Sequence, residues 1–397
     1  MIIFIGIMII GGCETRTVPK GEIIKINPYE AKEFVNLSEI ADSIKLIRLK
    51  TEGDDVIGRA IIIVIKKKYI YVQDPLQDIV FVFNKEGKYV SKLNKRGQGP
   101  GEYAVMGPLF VDDNEEYIEL MDFRRKMVLK YSNITFEFIE STPFPNLNFE
   151  TCKKYENYYY CATKQYDNYI NDLKTVAGLI IVDDKNNLKT FFNRDVETNN
   201  QYYSIHIESF TINDKNELFM SLMFDNTFYQ LKEGEVYPII SVDFGKYGMN
   251  NSMVGSLSTQ KQVQYIKDMR DLAAFPSLDI NNSDIMSFAY FFKQGELRDF
   301  FWKDDYRLYL KFKESNKVFH VKHIKNDLSS FPDRIYLNAT FFGGCAHEVW
   351  HEDYLIDIVV PSFYFEEPTD KAFVDGIGEI TMDDDPIIVM MKLKKSQ

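Results

Sequence analysis

Histidine is scarce in this chain, with five residues in 397. A metal site built on three imidazoles would use most of that supply, so the composition does not favour one. Cysteine is rarer, with four residues. Cys13 stands near the N-terminus. The other three, Cys152, Cys161 and Cys345, leave one over after any pairing, which excludes a disulfide framework as the source of stability. Cys152 and Cys161 flank a tyrosine-rich stretch and can face each other across a hairpin, as a disulfide or as two buried thiols. Positive charge is also short. The formal net charge is -12, and no long basic run supplies the cationic face that a phosphate backbone requires. Nucleic acid is therefore not an expected partner. The sequence has no phosphate-binding glycine loop followed by Lys-Ser/Thr, no G-x-S-x-G elbow and no spaced D-x-D-x-D-G calcium loop. Beyond the N-terminus no apolar run is long enough to cross a bilayer. No cofactor is expected.

What the chain does have is apolar and aromatic bulk. Hydrophobic residues make up 45% and aromatics 15%, with 25 Tyr and 31 Phe. That is enough for a sizeable core, and the Tyr, Phe, Ile and Val bias favours strands. The first thirteen residues, MIIFIGIMIIGGC, form an apolar run too short to span a membrane as a mature helix. The run fits the apolar region of an export signal. Ile10-Gly11-Gly12-Cys13 has the form of a bacterial lipobox, so Cys13 is the expected lipidation site. Residues 1–13 then form the signal, and residues 14–40 a tether and first strand.

Short strands punctuated by turn residues recur from there on. In residues 67–93, Tyr69 to Val72 reads as one strand, Asp74-Pro75 breaks it, and Ile79 to Phe83 is a second. Asn84 to Gly87 is a turn, with glycine where a positive φ is cheap, and Lys88 to Leu93 is a third strand. The pattern returns in residues 115–132, 216–245 and 305–325. Phe83 and Tyr131 occupy matching positions 48 residues apart. Leu231 follows 100 residues later and Val321 a further 90, each gap leaving room for one degenerate unit. A repeat of about 40–50 residues with three or four strands marks a β-propeller blade. Residues 41–397 hold about six such units, an all-β fold. Val263, Ile266, Met269 and Leu272 have helical spacing, which predicts a small amphipathic helical insertion near 257–275.

Two motifs remain. RGQGPGEY, residues 96–103, carries Gly97, Gly99 and Gly101 for conformations closed to other residues, with Pro100 stiffening the loop. Tyr103 can pack under a neighbouring blade. Arg96, Gln98 and Glu102 are candidates for ligand contact at this junction. AHEVWHEDYL, residues 346–355, contains H-E-x-x-H. A zinc site of that pattern needs both histidines one turn apart on a helix, plus a third ligand. Here both flanks read as strand. The extended pattern would need Gly and His where Tyr354 and Asp357 stand. His347, Glu348 and His351 are thus read as a coincidental match, and no metal is assigned.

GQGPGEY, followed by a β segment and Asp122, resembles the NHL type of propeller repeat. More specifically, the chain resembles the six-bladed β-propeller lipoproteins of Bacteroidota. Arg48-Leu49-Lys50-Thr51, DNTFYQL with PIISVDFG, and DDDPIIVMMKLKK at residues 383–395 carry the likeness over nearly the whole mature chain. The resemblance implies a propeller held at the bacterial cell envelope by a lipid anchor. Such a protein is expected to bind or interact through an axial face, with a protein, small molecule or glycan as ligand. Propellers of this kind also include lyases and hydrolases with sites in the central channel, which is the alternative. A zinc peptidase is the weakest reading.

Overall fold

A computed structural model describes residues 21–58, 61–163, 166–193, 210–294, 303–337, 345–365, 367 and 369–394. Cys13, the signal and most of the tether lie outside these residues, as does His206. The strands form six antiparallel sheets arranged as the blades of a six-bladed β-propeller. Blade 1 comprises Ile61–Ile65, Tyr69–Asp74, Ile79–Asn84 and Tyr89–Leu93. Blade 2 comprises Met106–Val111, Tyr117–Asp122, Met127–Ser132 and Phe138–Pro143. Blade 3 comprises Thr151–Tyr155, Tyr158–Ala162, Leu179–Asp183 and Leu188–Phe191. It also carries an extra hairpin of Asp167–Ile170 and Leu173–Val176. Blade 4 comprises Phe210–Ile212, Leu218–Ser221, Thr227–Lys232 and Glu235–Asp243. Blade 5 comprises Leu272–Asn281, Ile285–Lys293, Tyr306–Phe312 and Val318–Lys325. Blade 6 takes Trp350–His351, Tyr354–Val359 and Ile387–Leu393 from the C-terminal region. Its outermost strand, Ala41–Arg48, comes from the other end of the chain and pairs with Ile387–Leu393.

The apolar residues sort by blade interface. A blade is a small twisted sheet that cannot bury both faces alone, and stacking round an axis covers them. Tyr71, Val80 and Val82 of blade 1 pack against Leu109, Ile118 and Leu129 of blade 2. Ile47, Ile356 and Ile388 of blade 6 pack against Ile63, Val72 and Phe81 of blade 1. The other neighbouring pairs have clusters of their own. This sandwiching explains why Ile79–Phe83 reads as an unbroken apolar run rather than an alternation, since all five residues are buried.

The breaks within blades are equally specific. Asp74 and Asp122 are buried at the second turn of blades 1 and 2. Each accepts two backbone N–H groups of its own turn, Leu76 and Gln77 for Asp74, Arg124 and Arg125 for Asp122. Each also accepts one at 2.7 Å from the loop entering the blade, Gly58 and Ala104 respectively. Asp225 occupies the matching place in blade 4, accepting from Thr227 N and Tyr229 Oη. A short carboxylate side chain suits this role because it mimics a backbone acceptor within a turn.

Two sequence expectations change. Residues 305–325 belong to blade 5, so no unit lies between them and blade 4. Two helices, α1 (Asn251–Gly255) and α2 (Thr259–Asp268), and the long first strands of blade 5 fill that length. The sixth blade is the C-terminal one. The helical insertion ends earlier than its apolar spacing predicts. Met269 caps α2, Asp271 takes a positive φ of 52°, and Leu272 opens a strand. Ile266 and Met269 pack on Phe275 and Phe291 of blade 5. Ahead of residue 41 the chain forms two strands. Glu22–Lys25 adds a parallel strand to the outer edge of blade 4, and Lys32–Asn36 does the same to blade 5.

Candidate binding cleft at the propeller axis

The first strand of each blade faces the axis, and several of these strands end in charge. Lys66 follows the first strand of blade 1, Asp112 and Asp113 that of blade 2, and Lys153 to Glu156 close that of blade 3. Together with Ile212 and Asn216 of blade 4 and Glu348 of blade 6, they line one cleft of about 390 Å³. Its floor and walls include Val64, Leu109, Phe110, Tyr117 and Tyr155. Five of the six blades therefore contribute to a single site.

Every lysine in the lining meets a carboxylate. Lys66 Nζ lies 2.9 Å from Asp113 Oδ1, and Lys154 Nζ lies 2.5 Å from Glu119 Oε2. Lys153 Nζ lies 2.6 Å from Glu348 Oε1. This last pair joins blades 3 and 6, which stand opposite each other in a ring of six, so it crosses the axis. The Glu348 side chain is 33% exposed, with the rest of its surface covered in the channel. That burial pushes its carboxyl up, but the Lys153 ammonium, helped by Lys66 and His351, outweighs it and holds the group below its ordinary range. Glu348 is thus the ionised member of a fixed pair. The lining holds five carboxylates against three ammonium groups, which disfavours an anionic ligand.

The H-E-x-x-H segment does not take the helical form that the zinc motif uses. His347 ends the short strand Cys345–His347, which pairs in parallel with Ile61–Ile65 of blade 1. His351 lies on Trp350–His351, which pairs with Tyr354–Val359. No helix carries them. His351 Nε2 sits 3.0 Å from Lys85 Nζ, and burial together with that ammonium lowers its proton affinity. Among the described residues no group of three His, Cys, Asp or Glu side chains could hold a metal ion. His320 and His323 both lie on Val318–Lys325 and have different partners. His320 Nε2 is 2.7 Å from Tyr290 Oη, whereas His323 lies beside Phe34 and Tyr336.

The GQGPGEY loop stands at the opposite end of blade 2's first strand from the cleft. Its groups are bonded within the junction, although Arg96 and Gln98 remain exposed. Glu102 accepts from Gly99 N at 2.7 Å, and Arg96 Nη1 lies 3.0 Å from Asp78 Oδ2. Arg125 donates to Glu102 O and Gly97 O, and reaches Gln98 Oε1 at 3.5 Å. Gly101 has a φ of 72°, and a Cβ there would meet the Phe138 ring at 2.7 Å. Tyr103 is fully buried between blades 1 and 2 and donates to Asp78 O at 2.6 Å. The candidates Arg96, Gln98 and Glu102 are thus bonded within the junction and lie away from the cleft. Cys152 and Cys161 stand directly opposite each other across a hairpin, as free, buried thiols. Burial pushes the Cys152 thiol up.

Sequence reasoning named Glu348 for another role and missed Lys66, Glu119, Lys153 and Lys154. The visible signal was paired lysines near a turn, Lys66-Lys67 just after the apolar strand Ile61–Ile65 and Lys153-Lys154 within Thr151–Tyr155.

The chain belongs to the family described as a domain of unknown function, DUF4934, whose model matches residues 22–392. No curated protein matches it in sequence. Its structure is similar to that of a candidate exported protein from Bacteroides fragilis. That match has a TM-score of 0.66 and 16% identity, covering 94% of this chain and 100% of the other. It is also similar to a DUF4221 family member from Bacteroides vulgatus, with a TM-score of 0.55 and 9% identity over 90% and 98% of the two chains. At these identities the likeness speaks to the fold. Among the described residues no helix is long and apolar enough to cross a membrane.

Proposed function

We propose that this protein is an exported, envelope-anchored binding module that holds a small polar ligand in its axial cleft. The observation that carries the reading is the convergence of five blades on one cleft of about 390 Å³. That volume suits a small molecule or the end of a larger one. Paired charges and two tyrosines give the cleft fixed donors and acceptors, and the surplus of carboxylate favours a neutral or cationic ligand. The apolar run ending in Cys13 supports export and lipidation, and the Bacteroides fragilis relative is consistent with export. A channel-based enzyme would need an acid or base free to move a proton at the cleft. Glu348, held ionised against Lys153, has the character of a charge partner instead.

Two measurements test this. Titration with a panel of neutral oligosaccharides and lysine-containing peptides, read as a shift in melting midpoint, should find a ligand. Lys153→Met should then weaken that ligand at least about tenfold, the scale expected for a charge-assisted contact. The same change should cost only about 1 kcal/mol of stability, since the pair is partly solvated. A ligand that binds both forms equally places the site elsewhere. Separately, Cys13→Ser should move the protein from the membrane fraction to the soluble one in the native host. Unchanged fractionation would refute the anchor.

A further inference from the structure

A second pocket lies on the face opposite the axial cleft, and the two share no lining residue. It has a volume of about 420 Å³ and sits where blade 2 meets blade 3. Phe123 and Lys126 come from the second turn of blade 2. Leu147, Asn148 and Phe149 come from the link between the blades, and Tyr166 and Asp167 from blade 3. Phe123, Phe149 and Tyr166 are only half-buried. Phe149 meets Phe123 with ring centroids 5.2 Å apart and Phe144 at 6.2 Å, so its ring is held by neighbours.

The pocket lining holds one lysine, Lys126, and one carboxylate, Asp167, and the two are not paired with each other. Lys126 Nζ donates to Leu147 O at 3.1 Å, and no carboxylate among the described residues pairs with it. The nearby carboxylate of Asp167 lies 3.0 Å from Lys174 Nζ and is committed there. Burial, acting alone, lowers the proton affinity of Lys126. This contrasts with the axial cleft, where each lysine has its own carboxylate. An ammonium has three donors. One is taken by Leu147 O, and the half-buried Lys126 keeps the others toward the aromatic-walled mouth of the pocket, where an anion can replace water in a charge-assisted hydrogen bond.

We propose that this pocket binds a six-membered ring bearing a carboxylate, with the ring against Phe149 and Phe123 and the carboxylate on Lys126. Such a ring comes either as a uronic acid sugar or as an aryl acid, and both present a flat apolar face and one negative group. Aromatic walls accept either face.

The test uses the intact protein, titrated by NMR with sodium glucuronate and sodium benzoate. Glucose and benzyl alcohol serve as uncharged matches. At least one acid should bind about tenfold tighter than its neutral match, as a charge-assisted hydrogen bond provides. The arm that binds identifies the source. Lys126→Met, which keeps the apolar stem, should erase the preference for the acid. Phe149→Leu should weaken acid and neutral ring alike while keeping the preference, and it reports on the site if Lys126→Met disturbs the link at Leu147. Equal binding of acid and neutral ring, a preference that survives Lys126→Met, or no binding of either acid at millimolar concentration overturns the proposal.

Discussion

Gly87→Val should lower the stability of the propeller by about 4 kcal/mol, while Gly53→Val should lower it by only about 2 kcal/mol. Both glycines have positive φ, 79° at Gly87 and 65° at Gly53. Both substitutions therefore carry the strain of a β-branched residue in the left-handed region, about 1–3 kcal/mol. They differ in what surrounds them. A Cβ at Gly53 meets nothing within 4 Å, whereas at Gly87 it would lie 2.2 Å from Arg48 O and 2.9 Å from Ile47 Cγ2. Those two residues belong to Ala41–Arg48, the strand that closes the ring. That strand cannot retreat. Ile47 is buried among blade 1 residues, Arg48 is paired with Asp384, and Lys50 N donates to Gly87 O at 3.0 Å. Forcing a side chain into this seam should add overpacking of about 1–3 kcal/mol. In a chain this large the apparent melting midpoint should fall about 2 °C per kcal/mol. Equal losses in the two variants would mean that the closing contact adds nothing beyond backbone strain.

That seam also shows where sequence reading stops. The meander of residues 67–93 was legible because each strand is a short apolar run and each turn carries Asp, Asn or Gly with a local hydrogen-bonding reason. Tyr103 beneath a neighbouring blade was legible for the same reason, as a large aromatic after a glycine-rich loop. The origin of the sixth blade was not. Its outer strand comes from residues 41–48 and its inner ones from residues 350–393, a pairing that leaves no periodic trace. A first strand was expected within residues 14–40, but that two strands form there and pair in parallel on the outer edges of blades 4 and 5 was not legible, because their partners lie about 200 to 290 residues away. The helix was overextended because Leu272 continues a helical spacing by coincidence, with Asp271 breaking the backbone between. The axial cleft assembles residues as distant as Lys66 and Glu348, and only closure of the ring brings them together. The reading of H-E-x-x-H as a coincidental match rested on its strand-like flanks, and both histidines do lie on short strands. The same geometry gives Glu348 its partner across the axis, a role that no local pattern encodes.

Two buried groups should give the protein opposing pH dependences that single substitutions separate. Asp357 lies on the second strand of blade 6, with no cation among the described residues acting on it, and burial raises its carboxyl from 3.8 to about 7. It accepts from Ile358 N at 2.9 Å and Tyr336 N at 3.3 Å, which offsets only part of the effect. Between those values the folded state keeps a proton that the unfolded state has lost. The group's contribution to stability therefore falls as pH rises through about 4 to 7, by roughly 4 kcal/mol in all. His320 behaves in the opposite sense. Burial, followed by the Arg307 charge, lowers it from 6.5 to about 4, and Tyr290 Oη sits 2.7 Å from its Nε2. Here the unfolded state takes up a proton that the folded state refuses. Stability from this group therefore rises with pH across about 4 to 6.5, by roughly 3 kcal/mol. In the wild type the two slopes oppose each other over their common window. Asp357→Asn removes the falling slope, so its stability relative to wild type should increase steadily from pH 4 to pH 7. It should start slightly below wild type, because the amide cannot accept from both N–H groups. His320→Gln removes the rising slope, so its relative stability should decrease over the same range. Denaturant midpoints at half-unit pH steps would read both differences. A pH-independent difference for Asp357→Asn would mean that Asp357 is ionised in the folded protein, with water or a cation reaching into the interface of blades 5 and 6.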